Sequence, residues 1–167
     1  MYKNNAANET LFYHYSPSFK YSLGIEGVKA KRQDKNYCYL RGTYLVGRKN
    51  TVSSQRNLYA QAGLSSNGAK EYFYGVHGDW ETRRHFVGFE VNKTKTDDFY
   101  RAITLGIAPY LGDYGDLHTW LMVKHMRDSY ASDWETFPVI RLFKGNFFVE
   151  AGYSDYTKLD VHLMYRF

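Results

Sequence analysis

The sequence has few of the residues that stabilise small secreted scaffolds, and it has no long apolar run. It contains one cysteine, Cys38, and 3 prolines. A single cysteine cannot form an internal disulfide, which excludes a disulfide-stapled scaffold, and we interpret Cys38 as a small apolar residue on a strand. No segment approaches the roughly 18 consecutive apolar residues of a membrane-spanning helix, which excludes a helical membrane protein. The 3.6-residue period of an amphipathic helix is absent too.

An apolar leader is also missing, since the sequence opens with the polar stretch MYKNNAANET. If the protein is exported, we expect that a signal peptide has been removed and that Met1 was introduced for expression. At 167 residues the chain is expected to form one domain.

Aromatic residues are abundant, at 19% of the chain, with 17 tyrosines and 11 phenylalanines. Tyrosine suits positions that are apolar on one side and wet on the other, such as the interfacial girdles of a membrane barrel. The net charge is +5, but lysine and arginine are scattered, and their densest groups, at 29–35 and 82–85, are interpreted as loops. A basic sheet with aromatics is also typical of single-strand nucleic-acid binding. The scatter of the charges leads us to predict no nucleic-acid partner.

Apolar residues recur at every second position through most of the chain. The alternation is clearest from Leu159 to Phe167, and a strand places two such sets on opposite faces. Similar segments separated by polar turns follow one another from Phe19 onward and predict ten strands, with 8 to 12 possible. Pro17 interrupts an earlier alternating stretch, and proline is confined to strand starts and edges. We therefore interpret residues 1–18 as an extended polar segment and 19–167 as one β-domain; a single bent strand through Pro17 is the alternative.

The polar face of these strands decides between a soluble β-domain, with the apolar set inside, and a membrane barrel, with the apolar set outside. That face combines nearly balanced acids and bases with glycines such as Gly24, Gly63 and Gly88. Glycine weakens an exposed strand, whereas inside a narrow barrel it leaves room for long charged side chains. We therefore predict an all-β, closed, antiparallel up-and-down transmembrane β-barrel. The predicted lumen-lining residues are Glu26, Arg41, Gln61, Glu71, Glu90, Lys124, Arg141, Glu150, Asp160, His162 and Arg166.

The apolar set of the last strand comprises Leu159, Val161, Leu163, Tyr165 and Phe167. This pattern resembles the assembly signal of small Gram-negative outer-membrane β-barrel proteins, in which the last strand ends on phenylalanine. The resemblance implies that these five residues face lipid and that the protein is a monomer in the bacterial outer membrane. It also implies two partners: outer-membrane lipid or lipopolysaccharide, and the barrel-assembly machinery during insertion. Short predicted loops distinguish the chain from the adhesins and proteases of this class.

The sequence favours a non-enzymatic protein and leaves its detailed function open. If the lumen charges pair with one another, the protein is a structural or interaction barrel with a plugged lumen; if they line a path, it is a narrow, porin-like passive channel. The alternative is an outer-membrane protease or lipid-modifying hydrolase.

That enzyme would use a carboxylate and an imidazole placed two residues apart on one strand face, a spacing that suits general-base catalysis. Two pairs have this spacing, Asp160 with His162 and His77 with Asp79. No two histidines show a ligand-like spacing, so we predict no metal site, and we predict no cofactor.

Overall fold

The computed structural model describes residues 1–32, 34–65, 72–113 and 115–166. Over these ranges the chain forms twelve strands, each antiparallel to its neighbours, which close into a barrel. The strands are β1 (Tyr2–Asn4), β2 (Asn8–Ser18), β3 (Tyr21–Ala30), β4 (Lys35–Asn50), β5 (Ser54–Ser65), β6 (Tyr72–Thr82), β7 (His85–Thr94), β8 (Phe99–Ile107), β9 (His118–Asp128), β10 (Glu135–Lys144), β11 (Phe147–Ser154) and β12 (Lys158–Tyr165). No helix in the described ranges is long and apolar enough to span a membrane.

The prediction of a closed antiparallel all-β barrel is confirmed, and the preferred strand count of ten is corrected to twelve. The ten strands predicted from Phe19 onward are β3 to β12. The two additional strands, β1 and β2, lie in residues 1–18, which the sequence analysis had placed before the barrel. Pro17 is tolerated near the end of β2 because the pairing with β3 shifts register between Tyr15 and Ser18, and such an irregularity accommodates a residue without an N–H group.

The barrel closes through the shortest strand. In β1, Tyr2 lies opposite Leu163 of β12 on one side and opposite Leu11 of β2 on the other. The amino group of Met1 donates a hydrogen bond to the carbonyl oxygen of Phe12 at 2.8 Å, which extends this ladder. Three residues of β1 therefore complete a wall whose other strands, β2 to β12, are at least 8 residues long.

The apolar alternation faces outward on every strand from β2 to β12. Large hydrophobic side chains such as Leu11, Ile25 and Phe147 are 68%, 60% and 65% exposed, whereas the alternate positions point into the barrel. The wall is therefore apolar on its outer surface. The outward direction of Leu121 and Val123, in the least regular segment of the sequence, agrees with this pattern, since both are exposed.

The connections between strands alternate between the two ends of the barrel. The end that carries residues 1 and 166, here called the terminal end, also carries residues 19–20, 51–53, 83–84, 108–113, 115–117 and 145–146. The opposite end, here called the loop end, carries the last residue of β5, the first residue of β6 and residues 5–7, 31–32, 34, 95–98, 129–134 and 155–157.

Two glycines of β3 allow a direct test of the packing inside the wall. A Cβ atom added to the inward-facing Gly24 would overlap the Tyr13 carbonyl oxygen and lie 2.7 Å from the Cα atom of His14, whereas one added to the outward-facing Gly27 would meet its nearest neighbour at 3.8 Å. We expect Gly24→Ala to lower the free energy of unfolding by about 1–3 kcal/mol, because backbone must move. Gly27→Ala should leave it unchanged or raise it by up to about 1 kcal/mol. Denaturant titrations followed by tryptophan fluorescence measure both changes, and equal changes would contradict this account.

Candidate functional site

A chain of polar side chains crosses the interior from β3 to β7. Arg41 donates to Glu26 at 2.8 Å and to the side-chain oxygen of Gln61. Gln61 donates to Asn92, and Asn92 in turn donates to Glu90 at 2.7 Å. The acids and amides of this chain therefore serve as hydrogen-bond partners for one another, as buried polar groups require.

The register explains why the long Arg41 side chain fits there. Its direct neighbours in the two adjoining ladders are Gly24 on β3 and Gly63 on β5. With no side chain at either position, the guanidinium extends to the diagonal residues Glu26 and Gln61. A Cβ atom added at Gly63 would overlap the Phe73 ring, so this ring, whose centroid lies 5.5 Å from the Arg41 guanidinium, takes the space that the glycine leaves.

Two further ion pairs complete the lumen network, the name used below for all these interior polar groups. Arg141 on β10 lies directly opposite Glu150 on β11 and donates to it at 2.9 Å. Lys124 on β9 contacts Asp160 on β12 at 2.8 Å, across two intervening strands. The side chains in the three interior pairs are between 12% and 18% exposed.

Aromatic rings hold the two interior arginines from both sides. The Arg41 guanidinium lies 4.9 Å from the Phe12 ring centroid and 5.5 Å from that of Phe73. Arg141 lies 4.5 Å from the Phe86 centroid and 5.3 Å from that of Phe148. Such cation–π contacts add to each ion pair when the site is desolvated, and the rings occupy space that water would otherwise fill.

An apolar cluster fills the side of the lumen formed by β8 to β10. Its buried members are Ala102, Trp120, Met122, Met126, Phe137 and Val139, with Phe86, Tyr100 and Ala108 packed against them. None of these nine residues was predicted to line the lumen. The sequence analysis also missed Lys3, which lies opposite His162 in the β1–β12 ladder and on the inward side of the wall.

The two proposed Asp–His pairs are not joined by a hydrogen bond within the described part of the chain. Asp160 instead accepts from Lys124, and Asp79 accepts from the side-chain nitrogen of Asn57 at 2.7 Å. The His162 ring packs edge-on against Phe148, and its buried Nε2 has no hydrogen-bond partner. The ring of His77 stacks on Tyr59 at 4.7 Å. In both pairs, the aspartate therefore accepts its hydrogen bond from a residue other than the histidine.

The remaining predicted residues are placed as follows. Arg166 is exposed just beyond β12 and lines a cavity at the terminal end. Leu159, Leu163 and Tyr165 are 54%, 40% and 51% exposed on the outer face, where Val161 is half-buried. Glu71 and Phe167 lie outside the described residues.

A cavity of about 480 Å³ opens at the loop end, and tyrosines dominate its wall. The Arg32 guanidinium lies 5.2 Å from the Tyr130 ring and 4.6 Å from the Tyr156 ring, and it donates to the Tyr156 hydroxyl at 2.6 Å. That hydroxyl donates in turn to Asp128 at 2.9 Å. Burial raises the pKa of Tyr156. The other tyrosines that line the cavity are Tyr37, Tyr39, Tyr72 and Tyr100.

A second cavity, of about 510 Å³, lies at the terminal end and is lined by residues that include Met1, Phe12 and His14. The lumen network and the apolar cluster lie between the two cavities. Among the described residues, no group of three His, Cys, Asp or Glu side chains is arranged to hold a metal ion.

Comparisons with known proteins identify no relative of this chain: no family model, no curated protein and no solved structure matches it. The geometry of the barrel and its interior therefore carries the functional argument.

The Arg141–Glu150 pair tests whether the interior charges depend on each other. Glu150→Ala leaves a guanidinium unpaired in the lumen, and we expect the free energy of unfolding to fall by about 3–5 kcal/mol. Replacing both partners, in Arg141→Met/Glu150→Leu, should restore much of that loss, because no charge then remains buried.

The exposed ion pair of Lys93 with Asp97, at 2.8 Å, is the matched control. Lys93→Gln should change the free energy of unfolding by less than about 1 kcal/mol, since exposed pairs contribute little. Denaturant titration measures all three variants, and a Glu150→Ala loss no larger than that of Lys93→Gln would disprove the dependence.

Proposed function

We propose that this protein is an integral β-barrel of the bacterial outer membrane whose lumen is filled by its own side chains. It acts as a structural or interaction barrel rather than as an open pore. The observation that carries the proposal is the reversed arrangement of the wall, with apolar side chains outside and paired charges inside. This arrangement is stable in a lipid bilayer, because lipid covers the apolar outer face while the charged side chains are enclosed in the lumen.

The outer surface has the layering expected for a membrane barrel. An aliphatic belt circles its middle and includes Leu23, Leu40, Val76, Ile103, Val123, Ile140 and Leu163. Exposed aromatic residues flank it toward the terminal end, among them Tyr15, Phe19, Tyr21, Tyr44, Phe147 and Tyr165. Toward the loop end the flanking aromatics are Tyr72, Tyr74, Trp134 and Tyr153. Aromatic girdles at both interfaces with an apolar band between them are typical of outer-membrane barrels.

The strand lengths support the same location. Strands β3, β7 and β10 have 10 residues each, and β9 has 11, which matches the roughly 9–11 residues that a tilted strand needs to cross a bilayer. A soluble protein rarely leaves a contiguous apolar patch larger than a few hundred Å² in water. A belt that passes around the whole wall exceeds that, so we infer that lipid covers it.

A filled lumen favours the interaction barrel over the passive channel. Arg41 and Arg141, each near two phenylalanine rings and paired with a glutamate, occupy the lumen, and Phe86 beside Arg141 packs against the apolar cluster. The cavity at the loop end is the concave surface available to a partner, and its tyrosines and Arg32 supply hydroxyl and cationic contacts. The engagement of Asp79 and Asp160 with other partners supports the non-enzymatic interpretation over a hydrolase.

The membrane location is tested by placing a charge on the belt. Leu105 is 54% exposed on the outer face, and Val52 is fully exposed in the 51–53 turn. In a bilayer, Leu105→Arg should destabilise the barrel, lowering the free energy of unfolding by about 2–4 kcal/mol. Val52→Arg should have little effect on it. The folded fraction after refolding into phosphatidylcholine vesicles is measured from heat-modifiable migration on a detergent gel. Equal tolerance of both variants, or a stable monomer without detergent, would show that the barrel is not a membrane protein.

The filled lumen is tested by single-channel recording in planar bilayers. The wild-type protein should give no current steps, because its ion pairs and rings close the path. The variant Arg41→Ala/Phe73→Ala removes one side of the plug and should conduct, which also demonstrates insertion under the same conditions. Wild-type steps as large as those of the variant would contradict the plugged lumen.

A further inference from the structure

Two arginines face outward at the same level of the wall, near the loop end. Arg101 on β8 lies directly opposite Arg127 on β9, on the side of the sheet that carries the apolar belt. Like charges directly opposite each other destabilise a ladder. An anion bound between them would remove this repulsion.

Within the described residues, the protein does not supply that anion. The four ion pairs found there include neither arginine, and the buried Nε of Arg127 has no hydrogen-bond partner. The acids of the adjoining 95–98 connection are engaged elsewhere: Asp97 pairs with Lys93, and Asp98 accepts from the hydroxyls of Thr96 and Tyr130.

Both guanidinium groups lie near one aromatic ring. The Phe99 ring centroid lies 4.9 Å from the Arg101 guanidinium and 6.0 Å from that of Arg127. Planar guanidinium groups held in this way present paired N–H donors, the arrangement that recognises phosphate oxygens. The ligand chemistry is therefore a phosphate group.

The wall below the arginines indicates what the phosphate is attached to. The outer wall of the same strands is apolar along the next outward-facing residues, since Ile103, Leu105 and Val123 are 46%, 54% and 48% exposed. Leu105 pairs with Val123 four residues along from Arg101 and Arg127, or about 14 Å at the rise of a strand. A phosphate held above this apolar strip fits a lipid, with its headgroup at the interface and an acyl chain along the wall.

We propose that Arg101 and Arg127 bind the phosphate of a phosphorylated lipid in the leaflet at the loop end, and that its acyl chain lies along the outer wall over Ile103, Leu105 and Val123. The inference rests on the proposed function, since it requires the outer wall to face lipid. It adds a specific lipid site to that function. The two arginines act as ligand-binding residues, and Phe99 acts as a positioning residue.

The test is binding of lipid A to the full chain refolded in detergent, measured by native mass spectrometry. Wild-type protein should bind phosphorylated lipid A more tightly than the same lipid after phosphatase treatment. Arg101→Gln/Arg127→Gln should weaken binding about fivefold per arginine removed, the contribution of a basic residue at an anionic membrane surface. The matched control, Arg56→Gln/Arg83→Gln, removes the same charge from exposed residues toward the terminal end and should change binding less than about twofold.

Three outcomes would overturn the lipid site: equal weakening in both double variants, no weakening in either, or complete displacement of lipid A by inorganic phosphate, which would show a free-phosphate site only. Heat-modifiable migration is recorded on the same samples. A folded, inserted barrel that fails these binding tests disproves the lipid site alone, whereas failure to insert into vesicles disproves the proposed function.

Discussion

The structure depends on the pairing of charges that strand geometry forces into a closed space. A strand sends alternate side chains to opposite faces, and closing the sheet turns one of these faces into an interior. Glu26, Arg41, Arg141 and Glu150 are therefore largely buried, with side chains 12% to 18% exposed, and they pair with one another. Because breaking such a pair leaves a buried charge, the wall and its contents stabilise or fail together.

The aromatic and small residues of the interior follow from that requirement. A buried guanidinium is stabilised by aromatic rings against its faces and by an acceptor at its edge. For Arg41, Phe12 and Phe73 are the rings and Glu26 is the acceptor. The Arg41 side chain also needs space to extend, which the glycines at positions 24 and 63 provide. Strands β8 and β9 have no inward-facing arginine. On that side of the lumen, methionine, tryptophan and valine side chains fill the interior instead.

Much of the wall could be predicted from the sequence, because period 2 is a local signal. Leu159 and Leu163 were assigned to one face of a strand from the local alternation, and the structure exposes both on the outer face. The first two strands were missed because β1 has only three residues and Pro17 suggested that β2 was not a strand. That error removed Lys3 from the predicted lumen, because the polar residues around it show no alternation.

The contents of the lumen were less predictable, for two physical reasons. Met122 and Val139 point inward although they are apolar, and a segment that is apolar on both faces gives no polarity signal for its orientation. The contact between Lys124 and Asp160 joins strands that are not neighbours. Such a contact depends on closure and on the stagger of the whole barrel, which no local pattern encodes.

The three-residue strand that closes the barrel also has a consequence for the order of folding. Every other ladder joins strands that follow one another in the sequence, so each can form as a local hairpin. The β1–β12 ladder alone brings together the two ends of the described chain, with Tyr2 opposite Leu163. Contacts between such distant residues carry the largest loop-closure entropy and form slowly. We therefore expect an open, curled sheet to precede the closed barrel, with the docking of β1 as the last and slowest step.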